Sequence, residues 1–546
     1  MTWSPPVPGA WRPMSHQAED VDRLAGHPRI LVMNDLGTGK TPTVAWWLQE
    51  HWISGSVDFA IVVGPSMVID GWRETMDGGA WADGSVEFID ARPPNTDDIV
   101  RLLTSKVPIR RYPFIVMFTT YAVMRRLFTK TYRRQYVGIG GVIEQRLPNL
   151  KLALVCDEAH SAALPGTGQG TACRYIGSMA AAVAGVTATP IGRATHLRPW
   201  GLTKLVRPDV LDRIPPSNAY GAPPPRGSFE AFKARYGFLS DPNSKSGQIN
   251  LSRAIVLDVD RGKLEREFLT MVAPFSCHRT KEECLDLPEK VYLRRSVDMD
   301  RDVARLMTGL LEEDRAIMGD GHVVVPSNVL ESRLRTLELA GGWLDGRPAH
   351  CLKLDLLREV LSEIEGPTLV WCSRTRTLLG AALVAAGFTP QEALDRASRA
   401  HPPAADEDGE ARVDSREYRA IIAAARSAGV GVIHGPTKDA DRDETQSAWR
   451  SGEIRTVIAN PGVAGAGLNW QHVVASVYYD QPLGMILRQQ SEDRVHRHGL
   501  KHTALYYDLY LSGGPDEAVA MAHSEQISTE AAMLEWLSTA IDGMTG

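Results

Sequence analysis

The sequence predicts an α/β protein with two parallel-sheet lobes and inserted helical segments. Short apolar runs recur along the chain, separated by stretches that suit helices. These runs lack polar alternation, which is typical of parallel strands buried on both faces. The pattern breaks near residue 198 and resumes near residue 287, and 546 residues exceed one ordinary domain. Together these observations favour two doubly wound lobes.

The first lobe is predicted to span residues 1–197. A helix is expected at residues 44–52. Five apolar runs predict its buried strands: 29–33 (RILVM), 60–63 (AIVV), 114–118 (FIVMF), 152–156 (LALVC) and 183–186 (VAGV).

Residues 198–286 are predicted to form a helical insertion and a lobe-joining segment. A charged stretch at 229–236 suits a helix. A loop is marked by five prolines, Pro215, Pro216, Pro223, Pro224 and Pro225.

The second lobe is predicted at residues 287–546, with a helical insertion at 301–342. Residues 389–414 are acidic and contain prolines, so we expect a surface loop insertion there. Further strands are predicted at 290–294, 368–372, 430–434, 456–459, 475–479 and 504–509.

Composition excludes several classes of protein. No apolar run approaches the ~20 residues of a membrane span, and the N-terminus lacks a basic region followed by an apolar one. We therefore expect a cytoplasmic protein, in the host cytoplasm if it is phage-encoded. Six cysteines without a C-x-x-C pair argue against zinc. A net charge of −6 does not indicate a nucleic-acid binder. Binding stays open, because a cleft can hold nucleic-acid phosphates with the basic groups and N–H donors that line it.

The run MNDLGTGKT at residues 33–41 predicts a phosphate-binding loop, because it follows a strand and opens a helix. Gly37 and Gly39 allow backbone N–H groups around Thr38 to surround phosphate oxygens. Lys40 is expected to reach the β- and γ-phosphates of ATP, and the Thr41 hydroxyl to ligate Mg²⁺. An incidental glycine turn is the alternative.

The loop departs from the general pattern at Asn34, where that pattern has a glycine. Asn tolerates left-handed backbone conformations better than most residues, so the loop is expected to keep its shape.

Asp157 and Glu158 follow the strand LALVC at its carboxyl end, where α/β sheets place ligand groups. Asp157 is expected to hold Mg²⁺, and Glu158 to polarise the attacking water. A solvated surface pair is the alternative interpretation.

On the phosphate-binding loop and the Asp157–Glu158 pair, the chain resembles superfamily 2 helicases. The second motif of that group contains the tetrad DEAH, which is found here at residues 157–160. TATP at 187–190 is similar to motif III. The Swi/Snf-type branch is the closer resemblance, on QSEDRVHRHG at 490–499, PF…RTK…LPEK at 274–290 and IVVGPSMVIDGW at 61–72. Motif V departs from that branch by ending in Trp470. The resemblance covers about residues 11–520, outside the acidic insertion, and implies two RecA-like lobes.

The resemblance also implies roles for further residues. Gln17 would recognise adenine, and Arg494 and Arg497 would neutralise charge on the transferred phosphoryl group. Gly467 and Gln490 would contact the nucleotide. Sequence-independent contacts to nucleic-acid phosphates would come from Pro65, Ser66, Thr119, Thr120, Ser373, Arg374, His434, Gly435, Lys438 and Gly465.

The implied activity is that of a DNA-stimulated ATPase moving on double-stranded DNA without obligatory unwinding. Such a motor would remodel replication or repair forks or displace bound proteins. Alternatives are a strand-separating DNA or RNA helicase, and an ATP-gated clamp or scaffold with a vestigial ATPase. A subunit of a restriction or defence complex also stays open. Trp72 and Trp470 are candidates for stacking on bases, and rich Ala, Gly and Arg usage suggests a bacterial or phage source.

Overall fold

The computed structural model describes the chain outside several ranges. Those ranges are 1–2, 93–112, 129–130, 133–134, 137–150, 192–197, 213–226, 230–231, 233–237, 241–254, 258–260, 314, 402–413, 436, 438, 465–469, 471 and 525–546. The predicted proline loop and most of the predicted 229–236 helix lie outside the described residues. The chain divides into two compact units, Met1–Leu285 and Asp286–Gly546.

The first unit is built on a seven-stranded sheet in which every pairing is parallel. Apolar clusters cover both of its faces, since successive residues such as Leu31 and Val32 belong to opposite clusters. In spatial order the strands are Ser276–Cys277, Arg29–Val32, Ala182–Val186, Leu152–Asp157, Phe59–Gly64, Phe114–Thr120 and Val86–Asp90.

All five strands predicted for the first unit are confirmed, and two more occur at the sheet edges. Val86–Asp90 was missed because an edge strand is only half-buried and carries charged residues. Ser276–Cys277 was missed because two residues are too short for a pattern.

Helices flank this sheet, and short hairpins complete the unit. The hairpins pair Thr131–Tyr132 with Gln135–Tyr136 and Phe238–Ser240 with Ile255–Leu257. The α-helices are Ser15–Leu24, Lys40–Ile53, Ile69–Glu74, Tyr121–Phe128, Gly168–Met179, Arg198–Val206, Pro208–Leu211, Arg261–Val272 and Lys281–Cys284.

The second unit contains a six-stranded sheet, also parallel in every pairing. All six strands predicted from the sequence are confirmed. In spatial order they are Lys290–Val297, Ala504–Leu511, Ala475–Tyr478, Thr368–Trp371, Thr456–Ala459 and Val430–Ile433.

The predicted helical insertion contains two helices with a small hairpin between them, Ala316–Ile317 paired with Val323–Val324. A second hairpin pairs Trp343–Leu344 with Arg347–Pro348. The helices of the unit are Arg301–Glu312, Val329–Ala340, Leu352–Glu363, Thr375–Ala385, Pro390–Ala400, Ser415–Ser427, Asp439–Arg450, Pro461–Ala464, Met485–Glu492 and Pro515–Ser524.

The expected loop at 389–414 is wrong for its first half, which forms the helix Pro390–Ala400. Thr389 caps this helix by accepting a hydrogen bond from the Glu392 N–H, and the Glu392 carboxylate accepts from the Thr389 N–H. Leu394 and Ala397 bury one face in the core of the unit. The T-P-Q-E capping signal was present in the sequence and outweighs the acidic composition.

Candidate functional site

The phosphate-binding loop has the geometry that an anion site requires. It joins the strand Arg29–Val32 to the helix Lys40–Ile53. Gly37 and Gly39 both have φ of 80°, a conformation that favours glycine. Lys40 Nζ donates to the Asp35 carbonyl at 2.8 Å. The lysine and the helix N-terminus thus form a donor set that fits a phosphate chain.

Asn34 keeps the loop in place by a different means than expected. Positive φ among the described non-glycine residues occurs at Glu158 and Asp345, so Asn34 does not adopt the left-handed conformation. Its buried side chain instead donates to Asp20 Oδ2 at 2.8 Å. Asp20 also accepts from Arg279 Nε at 2.8 Å. Asn34 therefore ties the start of the loop to the first helix and to the lobe-joining R-T-K segment.

Gln17 lies against the phosphate-binding loop. Its side-chain amide donates to the Gly39 carbonyl at 3.2 Å, and its Oε1 accepts from the Met14 N–H at 2.9 Å. A Cβ on Gly39 would lie 2.1 Å from Gln17 Nε2, so the Gln17 amide would have to move, and the φ of 80° also favours glycine there. The structure brings the predicted adenine-recognising residue to the loop, where its amide supports loop backbone.

Asp157 is buried at the end of its strand, with both carboxylate oxygens occupied. Oδ2 accepts from Trp72 Nε1 at 2.7 Å, and Oδ1 accepts from the Glu158 N–H at 2.9 Å. Burial and the neighbouring Glu158 raise the pKa of Asp157 to about 6, against the opposing effects of Trp72 and Lys40. Lys40 thus acts electrostatically on Asp157, and the two predicted parts of the site lie in one neighbourhood.

Glu158 occupies a strained position. Its φ is 49°, in the left-handed region that non-glycine residues rarely adopt. Its Oε2 lies 3.2 Å from His160 Nδ1, which is 3.4 Å from Thr187 Oγ1. Thr187 Oγ1 in turn accepts from the Thr189 N–H at 3.1 Å. His160 therefore contacts both the Glu158 carboxylate and the T-A-T-P segment.

Trp72 is a site residue that the sequence interpretation placed wrongly. It is fully buried and holds Asp157, so it is not presented to bases. Trp470 is also buried, with its ring centroid 4.2 Å from that of Trp449. In the sequence, only the position of Trp72 at the end of the segment IVVGPSMVIDGW indicated a role at the site.

In the second unit, the arginine-bearing segment follows the helix Met485–Glu492. Gln490 is half-buried on that helix, and Arg494 and Arg497 are half-buried in the turns after it. The Arg494 carbonyl accepts from the Trp470 N–H at 3.3 Å. His496 Nε2 lies 2.7 Å from the Pro288 carbonyl, which ties these turns to the L-P-E-K segment.

A buried charge network anchors this helix, and sequence reasoning missed it. Arg488 bonds Glu492 at 2.7 Å and Asp508 at 2.5 Å, with its guanidinium carbon 3.5 Å from the Tyr478 ring centroid. Burial alone would raise the pKa of Glu492, but Arg488 and Lys290 outweigh it and hold that pKa at about 2. The Arg488–Glu492 pair is local, at i and i+4 of one helix, but the contacts to Asp508 and Tyr478 join separate elements and leave no local sequence signal.

We expect Arg488→Met to destabilise the protein by about 3–5 kcal/mol, because two buried carboxylates would lose their cation. The lowered pKa of Glu492 contributes stability that is complete above its ordinary value of 4.5 and is lost as the pH falls toward about 2. Urea unfolding at pH 7 and at pH 3.5 measures both effects. Between these two pH values the free energy of unfolding should fall more for the wild type than for Arg488→Met. The control is Arg358→Met, which removes an exposed pair worth ~1 kcal/mol or less. The prediction would be contradicted if Arg488→Met and Arg358→Met lowered the free energy of unfolding at pH 7 by the same amount.

The predicted nucleic-acid contacts fall into four groups, of which the last needs correction. Ser66 and Gly435 are exposed, while Pro65 is half-buried. Ser373 and Arg374 are held by one carboxylate, since Asp480 accepts from the Ser373 N–H at 3.1 Å and from Arg374 Nη1 at 3.3 Å. Lys438 and Gly465 lie outside the described residues, as does Gly467, the predicted nucleotide contact.

Three of the predicted contacts need correction. Thr119 is fully buried, and Thr120 Oγ1 accepts from the Val123 N–H at 3.3 Å, as a helix cap does. His434 is buried, its ring is hydrogen-bonded to the Tyr418 hydroxyl, and burial lowers its pKa to about 4. The side chains of Thr119 and His434 are therefore not presented to a phosphate, and that of Thr120 is engaged in the cap.

A comparison with protein families matches residues 410–499 to the helicase conserved C-terminal domain. Residues 410–499 of the second unit are therefore similar to a helicase C-terminal domain, in agreement with the helicase resemblance of the motifs. None of the curated proteins matches the chain.

Two solved structures are similar to this chain, each with 16% identity and a TM-score of 0.37. One is the Sulfolobus solfataricus SWI2/SNF2 ATPase core in complex with dsDNA, where 97% of this chain and 96% of that chain are covered. The other is the Sulfolobus solfataricus SWI2/SNF2 ATPase core domain, where 95% and 89% are covered. Among the described residues, no helix combines the length and apolar character needed to cross a membrane.

Proposed function

We propose that this chain is an ATP-driven motor that moves on double-stranded DNA without obligatory strand separation. The observation that carries the proposal is that the Lys40 loop and Asp157 lie at strand ends on the same edge of the sheet, because Val186 pairs with both Val32 and Asp157. That arrangement suits a nucleotide whose phosphates meet the lysine and whose Mg²⁺ meets the carboxylate.

In this proposal, Asp157 and Thr41 hold Mg²⁺, and Glu158 accepts a proton from the attacking water. Arg494 and Arg497 stabilise the transferred phosphoryl group. The nucleotide is bound by Gln17, Gly37, Thr38, Gly39, Lys40, Gly467 and Gln490.

Contacts to DNA would be made through the phosphates and therefore without reading the sequence. Ser66 and Gly435 are the exposed candidates, and Arg374 supplies a positive charge. Duplex translocation is favoured over unwinding by the resemblance of D-R-x-H-R and R-T-K…L-P-E-K to the Swi/Snf-type branch.

We expect duplex DNA to stimulate ATP hydrolysis by at least about tenfold over the protein alone, and Lys40→Ala to abolish this turnover. Steady-state rates are measured with no nucleic acid, single-stranded DNA, duplex DNA and RNA. Lys151→Ala is the control, because Lys151 Nζ bonds the Gly55 carbonyl at 2.7 Å on the exposed surface.

Triplex displacement and strand separation are then measured on the same DNA. Displacement without unwinding supports a duplex translocase, whereas unwinding supports the strand-separating helicase. Absence of any stimulation by duplex DNA would overturn the proposal. Turnover unaffected by Lys40→Ala would overturn the assignment of the ATP site itself.

A further inference from the structure

Arg198, the first residue of the helix Arg198–Val206, has a buried part without a hydrogen-bond partner. Its Nε and Nη1 atoms are buried, and neither meets an acceptor among the residues that the structure describes. Buried N–H groups nearly always have partners, so an exception in a native fold needs an explanation. A guanidinium in this state keeps N–H donors that a carboxylate from a neighbouring segment can meet.

Packing fixes the backbone of this helix against the DEAH segment. A Cβ on Gly201 would lie 1.6 Å from the Ala163 carbonyl oxygen, so the helix touches the chain that follows Ala159–Ser161. At the same end of the helix, Trp200 Nε1 donates to the Gly227 carbonyl at 3.3 Å. These contacts hold the helix that begins at Arg198 against the segment that follows Glu158.

The charge of Glu158 affects the pKa of Arg198. Burial lowers the pKa of the guanidinium, and the Glu158 carboxylate acts in the opposite direction. Glu158 also lies 3.2 Å from His160 Nδ1 and has the strained backbone described above. The carboxylate is thus influenced by a histidine within its own turn and by an arginine from a separate helix.

We propose that Arg198 is a positioning residue for ATP hydrolysis, which orients the Glu158 carboxylate toward the attacking water. This inference rests on the proposed function. In that reaction the water oxygen bonds the γ-phosphorus, the bond to the bridging oxygen breaks, and ADP leaves with the electron pair. The water proton passes to Glu158. Arg198 supports this step through Glu158 and does not itself exchange a proton.

The test combines single variants with a double-mutant cycle. Arg198→Gln should lower kcat for duplex-stimulated hydrolysis by about 10- to 100-fold, with KM for ATP within about threefold of wild type. Arg198→Lys should recover part of the loss because it keeps the charge. In a Glu158→Gln background, Arg198→Gln should change the residual rate of hydrolysis by less than about twofold, because the carboxylate through which Arg198 acts is already absent.

Arg174→Gln is the matched control. Arg174 is also half-buried, bonds the Ala162 carbonyl at 3.3 Å, and packs over the Trp200 ring at 5.7 Å. A merely structural role for this region would give similar losses in the Arg174 and Arg198 variants. Fluorescent-nucleotide binding and thermal unfolding check that each variant is folded, and Arg198→Lys carries the test if Arg198→Gln does not fold.

Three results would overturn the inference: unchanged kcat in the Arg198 variants, an equal loss in Arg174→Gln, or the same fold-loss in the Glu158→Gln background. Failure of the proposed function looks different, because Glu158→Gln alone would then leave turnover unchanged.

Discussion

Glu158→Gln is expected to lower duplex-stimulated ATP hydrolysis by about 10²–10³-fold while ATP binding is retained. Positioned proton transfer contributes roughly 10²–10⁴-fold to rates, and an amide of the same shape cannot accept the proton. The backbone of Glu158 is already in its strained conformation, with φ of 49°. Gln keeps the side-chain length, so the loss should appear in kcat rather than in the affinity for ATP.

The measurement is steady-state turnover together with binding of a fluorescent ATP analogue. Glu74→Gln is the control, because Glu74 is an exposed carboxylate at the end of the helix Ile69–Glu74. A Glu158→Gln protein that binds ATP and does not turn it over should also stay longer on duplex DNA. If Glu158→Gln hydrolyses ATP at the wild-type rate, another group must be the base.

Most of the fold could be predicted from the sequence because buried parallel strands are apolar on both faces. LALVC at 152–156 and TVIA at 456–459 are runs of this kind, which are typical of strands in the middle of a parallel sheet. Val86–Asp90 has the opposite character, since an edge strand keeps charged residues at the surface. The helix Pro390–Ala400 shows that a capping signal outweighs an acidic composition when one face of the helix is buried.

The candidate site could be predicted only as far as its residues are local in sequence. Strand, loop and helix bring Gly37, Gly39 and Lys40 together within a few positions. Trp72 and Asp157 are 85 positions apart, and their 2.7 Å bond depends on the packing of two segments. Such a contact follows from tertiary structure. For the same reason Asn34 was assigned a backbone role, when its actual partner is Asp20.

Arg494→Ala and Arg497→Ala should each lower kcat by about 10³-fold, since an arginine that stabilises a transferred phosphoryl group contributes 10³–10⁵-fold. Lysine should not restore the rate at a position that needs the planar, bidentate guanidinium. The Arg488 network and the bond between His496 and the Pro288 carbonyl hold the segment that carries both arginines. Alanine should therefore remove the charge without unfolding the segment.

The arginine variants are compared with Arg416→Ala, which changes an exposed position on the helix Ser415–Ser427. Turnover is measured at saturating ATP and duplex DNA, and duplex affinity is measured separately without nucleotide. A loss confined to turnover assigns the pair to ATP chemistry. A loss confined to duplex affinity would instead make Arg494 and Arg497 DNA contacts, and the charge that offsets the transferred phosphoryl group would then have to come from another residue.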